Sequence, residues 1–192
     1  MLSKIKDKAA KLIEPFAEAL VKRKIRPNIL TLIGFIFCVL SAVFFTFHFE
    51  IPGGLMLLVG GAFDMMDGAV ARSGGMETKF GGVLDSTIDR VSDFLILAAI
   101  AYGWRLQTVI FPIWLWCGAA LLGSFLVSYI RARAEAAGAT NMDVGIAERS
   151  ERLLIIGLGS LVGLTAYATI LVAVLSLLTA AHRLIVAGER LS

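Results

Sequence analysis

Asp64-Met-Met-Asp67-Gly68-Ala-Val-Ala71-Arg72, then eight residues, then Gly81-Gly-Val-Leu-Asp85-Ser-Thr-Ile-Asp89: four aspartates fall in this stretch of a chain that is 58% hydrophobic. On a helix, Asp64 and Asp67 lie about 60° apart and share a face. Asp85 and Asp89, four apart, are offset by about 40° and share a face as well. The polar, glycine-containing residues between the pairs suit a tight reversal between two helices. Two antiparallel helices joined there would aim four carboxylates at one point. Left alone they would repel and desolvate badly, and one or two divalent cations are the simplest remedy.

The rest of the chain says where such helices sit. A mean hydropathy of +0.83 with only 17% charged residues over 192 positions suits a polytopic membrane protein rather than a soluble domain. Residues 1–24 are not a signal peptide, because Lys and Glu interrupt the apolar positions. Leu2, Ile5, Ala9, Leu12, Ile13, Phe16, Leu20 and Val21 recur near helical spacing among lysines, which predicts an amphipathic helix on an anionic membrane face. Pro27-Asn28 marks the start of a first span over about 29–47, with Asn28 as its expected N-cap. Glu50 to Gly54 is expected to turn. Further spans are expected over about 55–72, 81–102, 109–130 (continuing as polar helix to Glu135), 153–165 and 167–185. The fifth is short and needs tilt or cover. The expected fold is an all-α integral membrane protein: an amphipathic juxtamembrane helix (1–24) and one six-helix transmembrane catalytic domain (25–192). Cys38 and Cys117 sit in apolar runs without metal-ligand spacing and are expected to be packing residues.

On this six-span arrangement all of the 18 Lys and Arg except Arg105 fall on one side. The positive-inside rule makes that side cytoplasmic, with both termini and the carboxylates. Trp104, Trp114 and Trp116 are expected to form an aromatic belt at the other face.

An ionised Asp within a transmembrane segment costs roughly 2.5–3.5 kcal/mol on insertion scales, and function is the default reason for one. Salt bridges to Arg72 and Arg90 are the structural alternative, but two cations cannot satisfy four acids. All-oxygen ligands favour Mg²⁺ first and Mn²⁺ second. A metal pair could clamp a pyrophosphate and stabilise charge on a leaving phosphate. Gly68, Gly81 and Gly82 leave room for a nucleotide, and Arg72 is one turn from Gly68.

The pattern D-x-x-D-G-x-x-A-R-x8-G-x3-D-x3-D resembles the signature of the CDP-alcohol phosphotransferase family, matched here by Asp64, Asp67, Gly68, Ala71, Arg72, Gly81, Asp85 and Asp89. The resemblance implies that Asp64, Asp67 and Asp85 are metal ligands. It also implies that Asp89 is the base that deprotonates the acceptor hydroxyl and touches a second metal. An alcohol would displace CMP from a CDP-linked lipid. Asn28 and Thr31 fit the family's P-N/D-x-x-T entry to the first span, and with Gly68, Arg72 and Thr78 would contact the CDP moiety. A homodimer is implied by the resemblance alone.

Arg131 and Arg133 end the fourth helix, Arg149 and Arg152 begin the fifth, and Arg183 lies near the end of the sixth. Five arginines at three helix ends on the catalytic side point to a pocket for a phosphate dianion, hence a phosphorylated polyol acceptor. Ser128-Tyr-Ile-Arg131-Ala-Arg133-Ala-Glu135 and Glu148-Arg149-Ser-Glu151-Arg152 resemble the phosphatidylinositol-phosphate synthase branch, archaeal members included, with Ser150 where some members have Pro. On that resemblance the acceptor is inositol 1-phosphate and the donor CDP-diacylglycerol or CDP-archaeol. Nucleic acid is not among the expected partners. Glycerol 3-phosphate as acceptor is the rival within the family. A divalent-cation transporter is the rival outside it, disfavoured because all four acids lie toward one face rather than at the midplane.

Overall fold

The computed structural model describes residues 15–191. Most of the predicted amphipathic helix, residues 1–14, lies outside the described residues. Its end is helical over 15–22 (α1), where Ala17 is buried and Leu20 and Val21 pack toward Leu30 and Val70. Six further helices follow: α2 (Pro27–Thr46), α3 (Glu50–Ser73), α4 (Lys79–Gly103), α5 (Ile113–Ala136), α6 (Arg149–Leu161) and α7 (Thr165–Leu191). Between α4 and α5 a two-residue antiparallel pair forms, β1 (Thr108–Val109) with β2 (Phe111–Pro112).

Pro27 lacks an N–H and so opens α2 without losing a helical hydrogen bond. Arg26, not the expected Asn28, takes the N-cap position; Asn28 lies inside the first turn. The turn expected over 50–54 is instead the first turn of α3. Pro52 is tolerated there because first-turn N–H groups have no intrahelical acceptor, and the two glycines serve close packing. A Cβ on Gly53 would sit 2.7 Å from the Phe45 ring, and one on Gly54 would sit 2.7 Å from the carbonyl oxygen of Gly157. Trp104 also departs from expectation. It is 3% exposed, stacked on His48 with centroids 3.9 Å apart, and is core rather than belt.

Among the described residues, four helices can by length and composition cross a membrane: α2, α3, α5 and α7. The chain is a multi-pass membrane protein on that ground. At 13 residues, α6 rises only about 20 Å, short of the ~30 Å hydrocarbon core. Residues 79–93 of α4 carry Lys79, Asp85, Asp89, Arg90 and Asp93, which leaves only its C-terminal part apolar.

The packing order is set by α2, which lies broadly against both α3 and α4, while α3 and α4 share no broad interface of their own. Around this trio α6 packs on α3, α5 on α4, and α7 on α5 and α6. The core runs through Phe45, Leu57, Ile96, Ile100, Ile113 and Val172. Small residues allow the close crossings: a Cβ on Gly34 would stand 3.1 Å from the Gly60 carbonyl oxygen, and Ser41 donates to the Gly53 carbonyl at 2.7 Å. Because Gly54 faces backbone of α6, which cannot rotate away, Gly54→Val is expected to cost about 1–3 kcal/mol. Thermal unfolding in detergent measures this, and an unchanged Tm would refute the α3–α6 contact.

Candidate active site

With α2 between them, α3 and α4 hold their acidic faces across a shared space. From α3, Asp64 is partly exposed and Asp67 is 7% exposed; from α4, Asp85 is partly exposed. One carboxylate oxygen from each of these three lies within 4.8 Å of the others. An oxygen-only set of this size fits a hard divalent cation. α2 supplies the support. The Thr31 hydroxyl donates to Asp67 Oδ2 at 2.6 Å, orienting a carboxylate from the helix that also spaces the other two.

Asp89, the fourth predicted acid, stands one turn deeper. Its Oδ1 is 2.8 Å from Arg149 Nη1 and its Oδ2 is 3.3 Å from Arg90 Nη1. The same Arg149 Nη1 donates to Asp64 Oδ1. One guanidinium therefore bridges the acids of both helices. Arg90, named beforehand as an ion-pair partner, does pair with Asp89. The bridging cation, however, comes from a helix 85 residues away in sequence from Asp64.

The predicted nucleotide contacts fall at the α3–α4 reversal. Thr78 N-caps α4, its hydroxyl oxygen accepting from Gly81 N at 2.9 Å. A Cβ on Gly81 would lie 2.8 Å from that oxygen and 3.5 Å from Asn28 Oδ1, so Asn28, Thr78 and Gly81 converge. The exposed Arg72 folds back over Gly68, where a Cβ would be 3.1 Å from its Nη1. Thr31 belongs to the carboxylates instead, through Asp67. On the far side of α4 an apolar cavity of about 740 Å³ is lined by Val83, Val91, Phe94 and Phe125, with Lys79 and Arg90 also at its wall.

The five predicted acceptor arginines do not form one open cluster. Arg149 stands among the carboxylates. Arg152 and Arg183 are 4% and 2% exposed. Arg152 donates to the Ala147 carbonyl at 2.8 Å. Arg183 donates from Nε to Val144 and from Nη1 to Val127, both at 2.8 Å, while its Nη2 is 3.9 Å from Glu148. These two fasten the 137–148 connection to the bundle. Arg131 pairs with Glu135 and Asp143 at 2.9 and 2.5 Å, and Arg133 is exposed. Sequence reading passed over Asp93, whose Oδ2 accepts from the buried Arg152 at 2.7 Å. The signal was there, since Asp93 continues the four-residue spacing of Asp85 and Asp89.

Comparison with known proteins agrees with the geometry. The sequence profile described as CDP-alcohol phosphatidyltransferase matches residues 24–187. The chain belongs to that family. It is 43% identical to the archaetidylinositol phosphate synthase of Pyrococcus horikoshii over 191 residues, covering all of this chain and 98% of the relative. Its fold is similar to that of crystal structures of the Mycobacterium tuberculosis phosphatidylinositol phosphate synthase. With CDP-DAG bound, that enzyme aligns at TM-score 0.78 and 31% identity over 92% of this chain and 94% of the other. In complex with manganese and citrate it aligns at TM-score 0.79 and 32% identity over 92% and 88%.

Thr31→Val tests the support given by α2. Loss of the donor to Asp67 is expected to weaken Mn²⁺ binding by about tenfold, read by titration calorimetry. Unchanged affinity would show that Asp67 needs no orienting partner.

Proposed function

We propose that the chain transfers the lipid-phosphate group of a CDP-activated lipid, diacyl or archaetidyl, to a hydroxyl of inositol 1-phosphate and releases CMP. The observation that carries this is the grouping of Asp64, Asp67 and Asp85 oxygens within 4.8 Å beside a glycine-lined turn. The relatives, named as inositol phosphate synthases, favour inositol phosphate over glycerol phosphate.

Asp64, Asp67 and Asp85 would hold Mg²⁺, with Asp89 beside them for a second ion. Such an ion, when bound, supplies charge stabilisation to the diphosphate and to the departing CMP. Asn28, Thr78 and the backbone at Gly81 receive the cytidine diphosphate, with Gly68 leaving space above α3 and Arg72 swinging from it to a phosphate oxygen. Thr31 contributes by keeping Asp67 in place. The cavity along Val83, Val91, Phe94 and Phe125 suits a hydrocarbon chain of the donor.

On the acceptor side, Arg149 and the Nη2 of Arg183 face the phosphate, Arg131 and Arg133 stand at the entrance, and Arg152 acts by fixing the wall. Asp89 takes the proton of the attacking hydroxyl as its oxygen bonds to the lipid-side phosphorus and the bond to CMP breaks. The ion pairs with Arg149 and Arg90 hold the Asp89 carboxylate in place beside the other acids. We place this site on the cytoplasmic side of six spans, α4 and α6 included, following the distribution of Lys and Arg. The spans form a single catalytic domain behind the juxtamembrane helix, and the assembly is a homodimer.

The test uses the purified chain in lipid bilayers with Mg²⁺ and a CDP-lipid, offered inositol 1-phosphate or glycerol 3-phosphate. CMP release with the first and not the second is expected, and it should stop on chelation. Release with glycerol phosphate alone would overturn the acceptor assignment. Asp89→Asn is expected to lower kcat by about 10²–10⁴ while the other three carboxylates still bind Mn²⁺. Near-normal turnover would remove Asp89 as the base.

A further inference from the structure

Asp93 touches neither the three-carboxylate group nor any residue assigned above to the donor, yet it is 8% exposed and sits between two arginines of α6. Its Oδ2 accepts from Arg152 Nη2 at 2.7 Å, and its Oδ1 lies 3.7 Å from Arg149 Nε. That Nε is buried and has no hydrogen-bond partner, so the Asp93 carboxylate is the charge that faces it. Arg149 and Arg152 are three apart in the first turn of α6 and share a face. The capping box of Glu148 and Glu151 fixes the start of that turn. α4 and α6 share no broad interface. Within this gap the α4 acids form a ladder. Asp85 joins the acids of α3, Asp89 takes the Nη edge of Arg149, and Asp93 takes Arg152 while facing the Nε edge of Arg149.

We propose that Asp93 is a positioning residue for the acceptor site, an inference that rests on the acceptor reading above. By anchoring Arg152 and facing the Nε edge of Arg149, it sets the plane of the guanidinium whose Nη1 contacts Asp64 and Asp89, leaving Nη2 to meet a phosphate. A guanidinium held along one edge presents the other in fixed geometry, which is what bidentate recognition of phosphate requires. Removing Asp93 leaves Arg149 held by Asp64 and Asp89 alone, drawn toward the carboxylates and away from a phosphate.

Asp93→Asn is expected to raise the KM for inositol 1-phosphate by about tenfold, with the KM for the CDP-lipid unchanged and with Asp93→Glu restoring part of the loss. Equal KM values for the acceptor in Asp93→Asn and wild type would overturn the proposal, as would a parallel rise in both KM values. If Asp93→Asn does not fold, the double variant Asp93→Asn with Arg152→Met removes both buried charges and keeps the volume. It is expected to fold and still bind acceptor weakly, and a wild-type acceptor KM in that variant would also overturn the inference. Wild type separates this from failure of the acceptor reading. If it releases no CMP with inositol 1-phosphate, the substrate assignment falls, and Asp93 is then judged by calorimetric Kd for inorganic phosphate. Weaker binding in the variant supports the positioning role, and equal binding ends it.

Discussion

Carboxylates gathered in a low-dielectric bundle repel one another more strongly than they would in water, and each loses hydration as it is buried. Such a group survives only if positive charge enters it. In this protein that condition is met from an unexpected direction. Arg149 arrives from the start of α6 and bridges Asp64 on α3 to Asp89 on α4, while Arg90 holds the other oxygen of Asp89. Asp64, Asp67 and Asp85 each place an oxygen within 4.8 Å of the others, close enough to share a cation. The helices are placed so that this arrangement can exist: α2 holds α3 and α4 apart, and α6 leans on α3 to deliver its arginine.

The same need for charge balance organises the start of α6 and the later part of α7. Arg152 and Arg183 are buried, and buried guanidinium groups are tolerated only when hydrogen-bonded. Their donors go to the carbonyls of Val127, Val144 and Ala147 and to Asp93. The connection over 137–148 is thereby fastened to the bundle rather than left as a free loop. Gly145, with φ of 111°, passes against Thr179 where a Cβ would lie 2.2 Å from its methyl.

Membership in the CDP-alcohol phosphatidyltransferase family and the geometry meet at the same residues. The fold shared with the mycobacterial synthase extends over nearly the whole chain, so its relatives differ from it in side chains more than in architecture. α4 also lines the apolar cavity with Val83, Val91 and Phe94, alongside Lys79, Ser86 and Arg90.

Helical spacing alone placed Asp64 with Asp67 and Asp85 with Asp89, because side-chain direction along a helix is set by its period. The apolar runs placed α2, α3, α5 and α7 for a similarly local reason, since burial in lipid depends on the composition of each segment. Which arginine reaches which acid was not local. Arg149, Asp64 and Asp93 meet only after α3, α4 and α6 pack, and no spacing encodes an angle between helices. The expected turn over 50–54 failed for the same reason: Gly53 and Gly54 carry the signal of a reversal, yet their role is to admit Phe45 and the backbone of Gly157. Segment by segment, then, the sequence determined the helices and the acids; the directions of the arginines came from tertiary packing, because charge pairs form where helices cross.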